Sequence, residues 1–301
     1  MYKRRSLFLW GAVVLVATAV IMSVLKLPNG SFDPEAEQAY TVKKQIRYGF
    51  TITNTTAETI HNARFVTFSP LPQTANQKLL SLTADYPFDT VDDALGNRKL
   101  SFQLPVLPPY ATKTLVVTAE LALAKEPNKQ RITPSAVARY TAPEKYVELD
   151  SPIVARVAER FDDTSDKPRT IYDWLVQNVE DIGYIARDRG AAYALEHRKG
   201  DCTEYMYGFV ALTRAHEIPS RSLAGFWLEQ KTNLLKAGNY HNWAEFHDGQ
   251  RWVLADPQRR HFDEHYANYI AFRQIGELED DPMGNAERFL AHDPRLRIAM
   301  N

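Results

Sequence analysis

The sequence predicts an α+β chain in three parts: an apolar N-terminal segment, an all-β first half, and a second half in which helices precede a β-hairpin. Three observations carry this. An uncharged run fills residues 6–25, period-two alternation dominates residues 40–123, and apolar residues recur at helical spacing from Ile153 onward, ahead of two strand-like stretches that flank Asp248 and Gly249. At 301 residues the chain has room for two ordinary domains. An apolar share of 45% and a charged share of 24% supply a core without covalent staples. A formal net charge of −1, with no basic stripe interleaved with aromatics, argues against nucleic acid as a partner.

Lys3, Arg4 and Arg5 precede the apolar run, which holds Leu7, Phe8, Leu9, Trp10, Val13, Val14, Leu15 and Val16. It is about long enough to cross a bilayer as a helix. Positive charge before it and none within it put the N-terminus in the cytoplasm and the body outside. Residues 1–27 are thus expected to be a transmembrane anchor, with a signal peptide cleaved near Ala17-Thr18-Ala19 as the alternative. Either way the body is exported, to the periplasm or the cell surface. Residues 28–40, rich in polar residues, Pro and Gly, read as a stalk.

In residues 41–124, Ile46, Tyr48, Phe50 and Ile52 alternate, as do Leu115, Val117, Ala119 and Leu121, while Asn54-Thr55-Thr56, Gly96-Asn97 and Pro108-Pro109 supply turn chemistry. An immunoglobulin-like β-sandwich is the natural packing of such strands. With His61 its only histidine and its carboxylates scattered in turns, this domain is expected to be a spacer or a surface for a protein partner. Residues 125–150 show little periodicity and read as a linker, so the second domain spans 151–301. Ile153, Val154, Val157, Ala158 and Phe161 mark its first helix; Ile171, Trp174, Leu175 and Val179, after Lys167-Pro168, mark its second.

Cys202 is the only cysteine, so within an exported chain it is either a small buried apolar residue or a thiol kept for its chemistry. Its neighbours favour chemistry. Gly200-Asp201-Cys202-Thr203-Glu204 precedes Met206, Phe209, Val210 and Thr213, whose spacing forms a helix that Pro219 closes off. Cys202 then lies in the first helical turn, where unpaired amides and the positive end of the dipole favour the reactive thiolate and can face an oxyanion. Asp201 can cap that helix and Gly200 permits close approach. Downstream, Tyr240-His241-Asn242-Trp243-Ala244-Glu245-Phe246 and Arg251-Trp252-Val253-Leu254-Ala255-Asp256 flank the turn residues Asp248 and Gly249. Paired as a hairpin, they bring His241 and Asp256 together at one sheet end, where the carboxylate can orient the imidazole as a base.

With these flanks the sequence resembles the transglutaminase-like superfamily. The resemblance rests on Gly200-Asp201-Cys202, on Arg214 through Ile218-Pro219-Ser220-Arg221, on Gly225-Phe226-Trp227, on His241-Asn242-Trp243 and on Trp252 through Asp256-Pro257, all in the family's order. It extends upstream to Ile182-Gly183-Tyr184 and covers roughly residues 151–257, in the manner of bacterial membrane-anchored members. It implies a papain-like core in which the cysteine helix packs on an antiparallel sheet. It also implies Cys202 as nucleophile, His241 as general base and then acid, and Asp256 as the residue orienting His241. The implied chemistry is attack on a peptide or protein amide through a thioester, with water or an amine as acceptor. A catalytically silent peptide- or polymer-binding module of the same fold is the alternative. Tyr184 matches a family tyrosine that can assist the oxyanion or simply pack.

Neither a cofactor nor a metal is expected. His261-Phe262-Asp263-Glu264-His265 fits an H-x-x-E-H zinc pattern, but a polar stretch directly after Asp256-Pro257 is a poor setting for one. Trp227, Trp243 and Trp252 read as core aromatics in preference to a groove lining. His197 and His216 read as surface or capping residues, and residues 277–281 as a solvated acidic turn.

Overall fold

The computed structural model describes residues 31–32, 40–229, 232–277 and 288–301. The expected anchor at 1–27 and most of the stalk lie outside them, as does most of the acidic run 277–281. Among the described residues no helix is long and apolar enough to cross a membrane.

The first strands fall where alternation predicts them: β1 (Val42–Asn54), β2 (Ile60–Phe68), β3 (Gln77–Ala84), β4 (Asp89–Asp92), β5 (Arg98–Leu107) and β6 (Thr112–Leu123). Helices follow as α1 (Pro134–Thr141), α2 (Pro152–Ala158), α3 (Lys167–Asn178), α4 (Gly190–His197) and α5 (Cys202–Ala215). Then come β7 (Ser220–Trp227), β8 (Tyr240–His247), β9 (Trp252–Asp256), β10 (His261–Phe262), β11 (Tyr269–Ile275), β12 (Phe289–Ala291) and β13 (Leu296–Met300).

Strands β13-β1-β6-β3 and β12-β2-β5-β4 form two four-stranded antiparallel sheets, and Ile46, Tyr48, Phe50, Phe65, Phe102, Leu115 and Val117 share the core between them. Two boundaries differ from the sequence reading. The segment 289–300, expected to belong with the C-terminal domain, adds one strand to each of these sheets, with Ile298 opposite Ile52 and Leu290 opposite Val66. The alternation of Leu296, Ile298 and Met300 suits a half-buried edge strand, but it is too short to show where it pairs. The expected linker 125–150 contains α1, which begins with Thr133 accepting the Ala136 N–H and with Pro134 in its first turn. Tyr140 of α1 is buried edge-on against Trp252, and its hydroxyl donates to Gln274 Oε1 at 3.1 Å.

The second half centres on a five-stranded antiparallel sheet ordered β10-β9-β8-β7-β11. Helix α5 covers one face, where Phe209, Val210 and Leu212 share a core with Ala224, Ala244, Phe246 and Val253. The other face carries Leu223, Trp243, Leu254, Tyr266 and Tyr269. Alternation along β8 therefore sends Ala244 and Phe246 to the helix and Trp243 away from it. At the end of α5, the buried Arg214 donates through Nε and Nη2 to the Ser220 carbonyl and through Nη1 to the Ala142 carbonyl and Glu144. Arg221 of β7 pairs with Glu245 of β8 at 2.6 Å beneath the Trp252 ring. Of the two arginines in the Arg-x-x-x-Ile-Pro-x-Arg segment, Arg214 thus ties helix to sheet and Arg221 ties neighbouring strands together.

Strand β11 ends the sheet, and an open edge is a pairing hazard. Here side-chain amides from the first half close it. Gln77 donates to the Ala271 carbonyl and accepts its N–H, while Asn97 donates to the Gln274 carbonyl and accepts its N–H at 2.6 Å. Phe226, Ile270 and Phe272 continue into the core of the first two sheets. The N-terminal sheets, expected to act as a spacer or a partner surface, are packed on the second half.

Gly225 faces a bulge between β7 and β11, and a Cβ built there falls 2.0 Å from the Ile270 carbonyl oxygen and 3.0 Å from the Trp243 ring. Gly225→Ala is expected to lower the denaturant midpoint by the equivalent of about 1–3 kcal/mol. Gly238→Ala, where nothing lies within 4 Å, is expected to leave it in place. Equal midpoints for the two variants would contradict the close contact.

Candidate active site

Cys202 is the first residue of α5, and the chain before it is organised by reciprocal caps. Asp201 accepts the Thr203 N–H at 2.8 Å and, through Oδ2, the Ile185 N–H at 2.8 Å. Glu204 accepts the Asp201 N–H at 3.1 Å and the Arg189 N–H at 2.9 Å. The helix start is therefore a capping box whose two carboxylates also hold the preceding loop. Gly200 is required because a Cβ there would lie 2.3 Å from the Glu204 Cβ. The close approach expected at this glycine is thus to Glu204.

The hairpin forms through a turn in which Asp248 accepts the N–H groups of Gln250 and Arg251, with Gly249 at φ +100°. The register Ala244 to Ala255, carried one step further, sets Asp256 across from Trp243 and one diagonal step from His241. The side chains meet: His241 Nε2 lies 2.6 Å from Asp256 Oδ2, with both residues buried. A carboxylate accepts, so Nε2 carries the hydrogen and Nδ1 is left as the basic nitrogen. Cys202 and His241 line one open cleft of about 580 Å³ with Asp201, Thr203, Asn242 and Tyr184.

Two further groups hold Asp256. The Tyr269 hydroxyl donates to the same Oδ2 at 2.6 Å, and the Arg259 N–H donates to Oδ1 at 3.1 Å. Burial pushes the Asp256 carboxyl up, but the His241 imidazole and these hydrogen bonds outweigh it and hold the group below its ordinary value. Tyr269 carries no motif signal; it reaches the site through the pairing of β11 with β7, which places it opposite Trp227. Arg288 also lines the cleft, stacked over Tyr240, from the segment just before β12.

The thiol differs from expectation. A helix start favours the thiolate, yet burial and the adjacent Asp201 carboxylate push Cys202 up to about 12, against smaller opposing effects of the Asn242 backbone and the Thr203 hydroxyl. Burial and the Asp201 carboxylate thus work against the thiolate that the helix start favours.

The remaining candidates sort by position. Tyr184 is 82% exposed and lines the cleft. Trp243 and Trp252 are buried core residues, whereas Trp227 is half-buried against His261 and Tyr269. His197 stacks on Tyr193, and His216 binds the Ala158 carbonyl. His261 lies on β10 and His265 precedes a short 3-10 turn, so the H-x-x-E-H residues do not share a helix.

Glu204 is pushed up to about 7, chiefly by burial, against the hydrogen bonds from Arg189 and Asp201. A carboxyl whose folded value exceeds its unfolded one binds more protons when folded, so its contribution falls as pH rises from the ordinary carboxylate range through 7. Glu204→Gln, whose amide can accept only one of these two N–H groups, is expected to stand lower in melting temperature relative to the parent at pH 5 than at pH 8. A difference independent of pH would contradict this assignment.

Residues 152–257 match the family model described as the transglutaminase-like superfamily. No curated protein matches the chain. Among solved structures, a candidate cysteine protease from Cytophaga hutchinsonii aligns with 16% identity and a TM-score of 0.56, over 86% of this chain and 92% of that one. The periplasmic domain of TgpA from Pseudomonas aeruginosa aligns with 15% identity and a TM-score of 0.34, over 77% of this chain and 96% of that one. The first of these reports a shared fold. With the family match and the cysteine helix set on its antiparallel sheet, residues 152–257 form a transglutaminase-like domain.

Proposed function

We propose that this protein is a cysteine enzyme that cleaves or transfers the acyl group of peptide or protein amides. The observation that carries this is the 2.6 Å contact of buried Asp256 with His241, which lines the same cleft as Cys202. His241 Nδ1 takes the Cys202 proton as Sγ attacks the amide carbonyl, and amides of the first turn of α5 face the developing oxyanion. The C–N bond breaks, the amine leaves with the proton returned by His241, and a thioester remains on Cys202. Water or a second amine, deprotonated by His241, then attacks the thioester and frees the thiol. Asp256 keeps its charge throughout and stabilises the imidazolium.

The apolar run at 6–25, with Lys3, Arg4 and Arg5 before it, supports action outside the cytoplasm from a membrane anchor. The N-terminal sheets support an immunoglobulin-like sandwich on that anchor that braces the catalytic sheet.

A second reading, a silent module that only binds peptide or polymer, is favoured by one observation: the burial that holds Cys202 as a thiol. One measurement separates the two. Iodoacetamide at pH 7 is expected to alkylate Cys202, and His241→Ala to slow this by about 10²–10⁴, the usual contribution of a general base. A thiol that is inert in the folded protein, or equally reactive with and without His241, would leave only the binding module.

A further inference from the structure

The two histidines of the H-x-x-E-H stretch are not spent on the core. His261 Nδ1 lies 2.8 Å from the Tyr269 hydroxyl, and that hydroxyl lies 2.6 Å from Asp256 Oδ2, the oxygen that also holds His241. Proton counting fixes the direction of this chain. Tyr269 has one hydrogen, and the carboxylate can only accept it. The tyrosine oxygen must then accept in turn, so His261 Nδ1 carries a hydrogen and donates. Burial and the Asp256 charge push Tyr269 well above the usual phenol range, so it remains a donor across the working pH. The rings are held in place: Trp227 packs against His261 at 4.8 Å and against Tyr269 at 4.9 Å between centroids. His241, Asp256 and Tyr269 are buried, while His261 is only half-buried and can exchange protons with solvent.

We propose that His261 is a positioning residue that acts through Tyr269 on the Asp256–His241 pair and makes the strength of that pair depend on the protonation of a histidine outside the cleft. This rests on the reading of His241 as the base for Cys202. When His261 is neutral, Tyr269 accepts an ordinary N–H. When His261 is cationic, the donor is charge-assisted, the phenol is polarised, and its O–H draws more of the Oδ2 charge. Less of that charge is then left for the hydrogen on His241 Nε2. Acidification through the His261 transition therefore weakens the base.

The groups facing His261 set the pH at which this happens. Burial pulls it below its ordinary value of 6.5; His265, whose ring lies 4.6 Å away, and Arg259 pull the same way, whereas Asp256 and Glu264 oppose. The switch therefore operates below pH 6.5.

The test uses two readouts on the full chain. In Cys202→Ala protein, the His241 Nε2–H proton resonance is followed from pH 5 to 8. It is expected to shift as His261 titrates, to lose that dependence in His261→Asn, which keeps a donor but no charge, and to move at every pH in His261→Phe and Tyr269→Phe. In protein with Cys202 intact, the iodoacetamide rate is expected to bend downward below pH 6.5. His261→Asn should make that bend shallower, leaving only the part that does not pass through His261, and retain the plateau, and His261→Phe should change the plateau by about fivefold, the rate equivalent of one net hydrogen bond. An Nε2–H resonance that is identical in the parent, His261→Asn and His261→Phe would overturn the proposal. If Cys202 does not react in any variant, the acyl-transfer reading falls, and the resonance still decides whether His261 is coupled to His241. If the phenylalanine variants do not fold, the comparison of parent with His261→Asn across pH decides.

Discussion

Two short hydrogen bonds converge on one buried carboxylate oxygen, Asp256 Oδ2, and the rest of the site is arranged around that convergence. A buried carboxylate is costly unless its charge is met by donors, and here His241, Tyr269 and the Arg259 amide supply them. Each donor comes from a different element: β8, β11 and the turn after β9. The carboxylate can be satisfied only when the whole sheet is assembled in register, so the tautomer of His241 reports on correct folding. Cys202 approaches from the other layer, at the start of α5, and lines the same cleft as His241.

That dependence ties the N-terminal sheets to the geometry of the site. Strand β11 brings Tyr269 to Asp256, yet it is the last strand of the five-stranded sheet. Gln77 and Asn97 close its edge with paired amide hydrogen bonds, and Phe226, Ile270 and Phe272 run into the neighbouring core. The C-terminal residues return to complete both of those sheets and, on the way, Arg288 reaches the cleft. The two halves therefore form one continuous packed unit around the site.

Much of this was legible in the sequence, because it depended on local pattern. The first-turn position of Cys202 followed from a capping residue and an apolar face. The pairing of His241 with Asp256 followed from a hairpin, in which a short turn converts sequence separation into register. Tyr269 was not legible: its place comes from a strand partner far away in the chain, and nothing in Tyr269-Ile270-Ala271 distinguishes a carboxylate donor from a core tyrosine. Helix α1 was hidden among Lys, Pro and Asn residues that show little periodicity. The short strand Leu296–Met300 alternates, but alternation does not name a partner. The state of the thiol is not legible for a different reason. A helix start argues for the thiolate, whereas burial and the Asp201 carboxylate, which acts as the cap, argue against it. Only the structure weighs these opposing effects.

Acyl transfer at this site requires Cys202 to form a covalent intermediate with an amide substrate. Its most direct test is acid quenching of the protein during incubation with a mixture of glutamine-containing and amide-capped peptides, followed by mass spectrometry of the Cys202 peptide. An acyl adduct on Cys202 is expected, and it is expected to be absent when His241 is replaced by alanine. A Cys202 that alkylates normally yet never carries an acyl group from any amide donor would contradict it.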